Sequence, residues 1–132
     1  MTVAEPRRIH VSAAVIRDVD GRLLLVRKSG TTAFMQPGGK PEAGEDAAMT
    51  LVREIREELG LRLNAADLAP LGTFAAAAAN EPGFEVVADV FAADIRDQTP
   101  VASAEIAELR WVGPNEIDHL DIAPLAREYF LR

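Results

Sequence analysis

Between Ser29 and Glu45 the chain carries Gly30, Pro37, Gly38, Gly39, Pro41 and Gly44. Proline removes a backbone donor and glycine opens left-handed conformations, so this density predicts a long shaped loop without regular structure. Loops of that length inside a small domain commonly carry function or move. The pattern then changes at once. Residues 46–59 place Ala48, Leu51, Val52, Ile55 and Leu59 at offsets 0, 3, 4, 7 and 11, one apolar stripe of a helix. Gly60 suits the left-handed residue that closes a helix, and Leu61 can fold back on its last turn.

Strands flank this unit. Residues 9–17 mix β-branched and small side chains ahead of Asp18-Val19-Asp20-Gly21, whose Asp-Gly pair signals a hairpin turn. The following strand, 22–27, holds Leu23-Leu24-Leu25-Val26, an apolar run without alternation that predicts burial on both faces in a layered fold. Further strands are predicted at 68–79, 84–95 and 106–112, with turns at Asn80-Glu81-Pro82-Gly83 and around 97–103. Alanines 75–79 favour helix by propensity and strand by position, so tertiary context decides them. A short helical turn is expected at 114–117 and an amphipathic terminal helix at 122–131. With 132 residues, no repeat and no linker, residues 1–132 read as one α/β domain.

Composition removes several chemistries. The absence of cysteine excludes disulfides, thiolate metal sites and thiol nucleophiles. A formal charge of -7 and a pI near 4.8 oppose binding of a nucleic-acid polymer. No apolar run reaches the roughly 18 residues of a membrane span, and the N-terminal Met1-Thr2-Val3-Ala4-Glu5-Pro6-Arg7-Arg8 lacks the pattern of a secretory leader. No membrane partner is expected, and the cytosol is the expected compartment.

The predicted helix has a second face. Glu54, Glu57 and Glu58 stand at offsets 0, 3 and 4, and the expectation is that their carboxylates cluster opposite the apolar stripe, clear of the core. Their repulsion costs a few tenths of a kcal/mol per pair, and glutamates in the C-terminal half also oppose the helix dipole. A solvated acidic face is the plain reading. A cation offers compensation, because hard divalent ions bind carboxylate oxygens beside substrate phosphates. Context favours the cation: Gly39, Glu45, Arg53-Glu54-Ile55, Glu57-Glu58 and Gly60-Leu61 fall at the spacing of the Nudix box over 23 positions. In this segment the chain resembles the Nudix hydrolase family.

That resemblance implies an α/β/α sandwich around a mixed β-sheet, and it covers nearly the whole chain. It implies hydrolysis of a nucleoside diphosphate linked to another moiety, with Mg²⁺ or Mn²⁺ as cofactor. Glu57 and Glu58 would be the principal metal ligands, with Glu54 a further ligand or a base that orients water. Arg53 would orient the ligands by reaching Glu57 or Glu45, and Gly39 and Gly60 would be positions whose backbone requires glycine.

Outside the box the candidates are fewer. Arg27, Lys28 and Lys40 could complete a phosphate cradle, with Lys28 behind the other two. Glu105 is the first candidate for a general base, because the family often brings an acid to the metal from there, and Glu81 and Glu85 compete with it. His10 and His119 read as structural or exposed, Trp111, Phe74 and Phe84 as core, and Asn80 as turn chemistry. The substrate is expected to be a small nucleotide: a nucleoside triphosphate, ADP-ribose or another nucleotide sugar, or a dinucleoside polyphosphate. A module that binds or senses nucleotide without turnover is the alternative, and three intact box glutamates oppose it. Exposed apolar residues in the alanine-rich segment or the C-terminal helix are compatible with a homodimer.

Overall fold

The computed structural model describes residues 7–131. The elements run β1 (Arg7–Val15), β2 (Leu23–Lys28), β3 (Gly38–Gly39), α1 (Ala47–Leu59), β4 (Ala69–Ala77), β5 (Phe84–Ala92), β6 (Ile106–Val112) and α2 (Pro124–Tyr129). Short 3-10 turns lie at Ala65–Asp67 and Pro114–His119. One sheet has the order β3-β1-β5-β4 and the other pairs β2 with β6. β1 and β5 are parallel while the other pairs are antiparallel, so the larger sheet is mixed.

The unbroken apolar run of β2 now has its reason. Leu23 and Leu25 join Val15, Phe34, Val90, Leu125 and Ala126 in one cluster, while Leu24 and Val26 join Ile16, Leu51, Ile55, Leu59 and Leu61 in the other. α2 therefore covers one side of the strands and α1 the other, the α/β/α arrangement expected. Leu24, Leu51, Ile55 and Leu59 have no exposed surface, and each such side chain contributes about 2 kcal/mol by leaving water.

Four local expectations change. The Asp-Gly turn forms, with Gly21 at φ 80° and a bridge between Arg17 and Leu23, but the strands it joins then part into different sheets. The loop at 29–45 is not wholly irregular, because Gly38–Gly39 pairs antiparallel with β1 and Met35 bridges Val26. Strand wins over helix up to Ala77, since Ala75, Ala76 and Ala77 take ladder positions opposite Val87, Val86 and Glu85. The terminal helix begins only at Pro124, because Ile122 bridges Phe34 and Ala123 donates its N–H to the Phe34 carbonyl at 2.8 Å. Among the described residues no helix is long and apolar enough to cross a membrane. The reading of residues 1–8 as no secretory leader rests mostly on positions 1–6, which lie outside the described residues.

Candidate active site

The helix start is fixed by side chains. The Asp46 carboxylate accepts the Met49 N–H at 2.8 Å and caps α1. Beside it, Glu45 Oε1 accepts the Glu42 N–H at 2.8 Å and the Thr50 hydroxyl at 3.1 Å. Arg53 closes the assembly, donating Nε to Glu45 Oε2 at 2.7 Å, Nη2 to Glu45 Oε1 at 2.9 Å and Nη1 to Glu54 Oε1 at 2.8 Å. Its Nη2 also reaches the Lys40 carbonyl at 3.0 Å, and Glu57 lies 3.5 Å from Nη1. Hydrogen bonds from Arg53 and then from the Glu42 backbone hold the Glu45 carboxyl down at about 2. The hydrogen bonds to Glu45, and then to Glu54, hold the Arg53 guanidinium above its ordinary value, against its partial burial. Of the two partners expected for Arg53, Glu45 is the bidentate one and Glu57 the distant one.

Glu58 departs from expectation. It is 2% exposed and does not stand opposite the stripe. Seven residues after Leu51, it lies only about 20° from that side chain around the helix, so it borders the core. The Gly38 N–H of β3 donates to its Oε1 at 3.0 Å. Burial pushes its carboxyl up to about 7; the Gly38 hydrogen bond opposes that, and the nearby charge of Glu54 adds to it. Glu54 sits against the other glycine of β3. A Cβ on Gly39 would lie 2.5 Å from the Glu54 carboxyl carbon, so a larger residue displaces that carboxylate; the close neighbour is a side chain, and the expectation of a backbone that requires glycine is not met at this position. Gly60 meets the other expectation, with φ 68° and its N–H on the Arg56 carbonyl at 3.0 Å.

The end of α1 draws in β6. Val101 and Ser103 donate their N–H groups to the Leu59 and Glu58 carbonyls at 3.0 and 2.9 Å, satisfying the open end of the helix. Glu105 follows two residues on, its carbonyl accepting the Ser29 N–H at 2.8 Å and its carboxylate 3.8 Å from the Lys28 ammonium.

Of these groups, Glu54, Gly38, Gly39, Lys28 and Glu105 meet at a cavity of about 470 Å³, whose lining includes neither Glu57 nor Glu58, while Glu45, Arg53 and Glu57 line a separate cleft. The cavity's charged end holds Gly38, Gly39, Lys40, Glu54, Lys28 and Glu105, and its other walls include Val11, Ala13, Ala77, Ala78, Val86 and Leu125. Lys40 has no ion pair among the described residues. Arg27 is not in this lining. Its Nε donates to Glu108 at 3.3 Å and its Nη1 to the Thr31 carbonyl at 2.9 Å, so Lys28 and not Arg27 faces the cavity. Glu81 and Asn80 are at the cavity's β4–β5 lip, whereas Glu85 is paired with Arg8 at 3.1 Å.

The remaining residues lie elsewhere. His10 Nε2 is 2.7 Å from Asp89, and His119 ends the 3-10 turn after β6. Phe74 packs with Tyr129 and Phe130, Arg7 lies over Phe84, and Trp111 packs against the α1-side core. Among the described residues no aromatic ring lines the cavity, in keeping with the core reading of Trp111 and Phe74. Sequence reasoning did not single out Gln36, a lining residue that is 7% exposed. Its signal was a polar amide directly before Pro37-Gly38-Gly39.

Among the described residues no three His, Cys, Asp or Glu side chains converge as a preformed cation cluster. Arg53 draws Glu54, and Gly38 draws Glu58. The donor chemistry nevertheless fits a hard divalent ion. Glu58 is a desolvated carboxylate with a single hydrogen-bond donor, and Glu54 is seated tightly on β3 beside it.

Comparison with known proteins covers the same ground. The NUDIX domain family matches residues 6–132. The uncharacterised Nudix hydrolase YvcI of Bacillus subtilis is 30% identical over 109 residues, 83% of this chain and 69% of that protein. A putative 8-oxo-dGTP diphosphatase of the same organism is 31% identical, over 78% of this chain and 65% of its own length. Among solved structures, the MutT protein of Methanosarcina mazei superposes with a TM-score of 0.76 at 24% identity, covering 97% of this chain and 94% of that one. The MutT Nudix hydrolase of Burkholderia pseudomallei gives 0.67 at 26% identity, covering 83% and 85%.

Proposed function

Because the chain belongs to the Nudix hydrolase family, we propose that it hydrolyses a diphosphate linkage in a small nucleotide, with a nucleoside triphosphate first among the substrates. The observation that carries this reading is the two-ended cavity, where the box residues Gly39 and Glu54 with Gly38, Lys28, Lys40 and Glu105 adjoin an apolar slot. A nucleotide has the same division into a charged and a largely apolar part. The relative named a putative 8-oxo-dGTP diphosphatase supports the triphosphate choice, while ADP-ribose, nucleotide sugars and dinucleoside polyphosphates share the chemistry.

Glu54, Glu57 and Glu58 would hold Mg²⁺ or Mn²⁺, which when bound neutralises charge on the diphosphate oxygens and acidifies a water. The chain's own groups do the rest. Arg53 holds Glu54 through one hydrogen bond and the Glu45 loop through two more, so the carboxylate does not swing away. Lys40 and Lys28 bring positive charge to phosphate oxygens. Glu105 accepts the proton of the attacking water as its oxygen bonds phosphorus and the bridging P–O bond breaks. The apolar walls exclude competing water.

The test is phosphate or pyrophosphate release by purified protein with Mg²⁺ or Mn²⁺, across nucleoside triphosphates, ADP-ribose, nucleotide sugars and dinucleoside polyphosphates. Glu57→Gln removes a ligand charge at little change in shape, and its turnover is expected to fall about 100-fold or more with the fold intact. Near-wild-type turnover in that variant would reject the metal role. Nucleotide binding without release across the panel would favour the binding module.

A further inference from the structure

Gln36 holds an acceptor that nothing among the described residues serves. The side chain is 7% exposed and donates Nε2 to the Ala14 carbonyl at 3.1 Å, while its Oε1 is buried without a hydrogen-bond partner among the described residues. Turning the amide over would set two acceptors against each other at Ala14, so that hydrogen bond fixes which atom is left over. Neighbouring donors are occupied. The Ala14 N–H bonds the Pro37 carbonyl at 2.9 Å, and the Ser12 hydroxyl bonds the Ala47 carbonyl at 2.8 Å. Buried acceptors without donors are rare in folded proteins, and one in a binding wall points to a donor that arrives with the ligand.

Gln36 belongs to that wall. It lines the cavity between Met35 and Gly38, in a lining otherwise built largely from aliphatic side chains and, at the other end, charges. Building on the nucleotide reading above, we propose that Gln36 selects the base: its Oε1 accepts a hydrogen bond from an exocyclic amino group of the bound nucleotide. The oxygen is buried in a residue of the lining, and an exocyclic amino group, which projects beyond its ring, extends further toward a buried acceptor than a ring N–H does. A base without that amino group leaves the oxygen buried and unpaired, the arrangement by which a polar site rejects an analogue lacking the partner. The cavity holds no aromatic stacking partner, so this contact supplies discrimination that stacking would not.

The experiment uses analogue pairs that differ by one amino group: guanosine against inosine nucleotides, adenosine against purine riboside nucleotides, and cytidine against its 4-deamino (2-pyrimidinone riboside) nucleotides. Calorimetric binding of the monophosphates and hydrolysis of the triphosphates are measured for wild type and Gln36→Met. In wild type at least one pair is expected to favour the amino member about 10-fold or more, and Gln36→Met to bring that ratio close to one. Ratios near one in all wild-type pairs overturn the proposal whether or not the variant folds. A wild-type preference that persists in folded Gln36→Met also overturns it and assigns Oε1 to a bound water. If binding discriminates while no triphosphate is hydrolysed, Gln36 keeps its role and the hydrolase reading fails. Absence of binding in every pair rejects both.

Discussion

The two ends of the cavity are built in opposite ways. Behind the box end, Glu45, Arg53 and Thr50 tie Glu54 into a continuous set of hydrogen bonds without themselves lining the cavity, and Gly38 and Gly39 touch β1 and Glu54 directly. At the lip, Ala77, Ala78 and Ala79 present methyl groups around a hairpin closed by the Ala78 N–H on the Phe84 carbonyl at 3.0 Å. Reaction geometry needs carboxylates held to fractions of an ångström, and only mutual contact between side chains gives that. Shape discrimination needs free volume, which small residues leave. One end is therefore intolerant of added atoms and the other receptive to them.

Adjacent glycines test the intolerance most severely. A Cβ on Gly38 would lie 2.0 Å from the Ser12 carbonyl oxygen at a φ of 150°, and neither backbone can yield cheaply. Gly38→Ala is expected to lose about 3 kcal/mol or more of stability, read as a lowered urea midpoint. On Gly39 the same atom meets only the side-chain end of Glu54, which can shift at the expense of its hydrogen bond to Arg53. Gly39→Ala is expected to leave the midpoint nearly unchanged while kcat falls about 10-fold through displacement of that carboxylate. Equal midpoints for the two variants would break the distinction between backbone and side-chain contact. At the lip, Ala79→Leu is expected to change KM by up to about 10-fold with kcat and stability preserved. A kcat loss there as large as in Gly39→Ala would show the two ends to be coupled.

The smallest expected effect is in acid. Glu45 has a folded value near 2 against an ordinary 4.5. A lowered carboxyl stabilises the fold fully above the unfolded value, and that contribution is lost as pH falls from about 4.5 toward 2. Arg53→Ala should flatten this part of the stability curve, measured by urea unfolding at a series of pH values, with the variant below wild type at neutral pH and converging on it in acid.

The box, the helix with its Asp46 start and Gly60 stop, and the strand positions are legible because each depends on residues near in sequence. What escapes reading depends on partners far away. Glu58 looks exposed when grouped with Glu54 and Glu57, yet its place over β3 is set by Gly38, 20 residues earlier. The sequence reading puts Arg27 ahead of Lys28, and a register shift between them, in the pairing with β6, reverses that order by separating a cation held by Glu108 from one facing the cavity. Gln36 gives no periodic signal, since its importance comes from a donor it lacks.

The parallel pairing of β1 with β5 carries a consequence for how the chain acquires this structure. Arg8 and Glu85, opposite each other in that ladder, are 77 residues apart, and the strand at the centre of the larger sheet has only the two-residue β3 beside it until β5 arrives. Local helix formation in α1 therefore cannot complete the core, and closure of a long loop precedes the main reward in contacts. During synthesis, β1 and the apolar run of β2 wait for residue 92 and then 112 before their sheets are whole. Folding is in this sense a late, collective event, and the nascent first half is the part of the molecule in greatest need of protection from association.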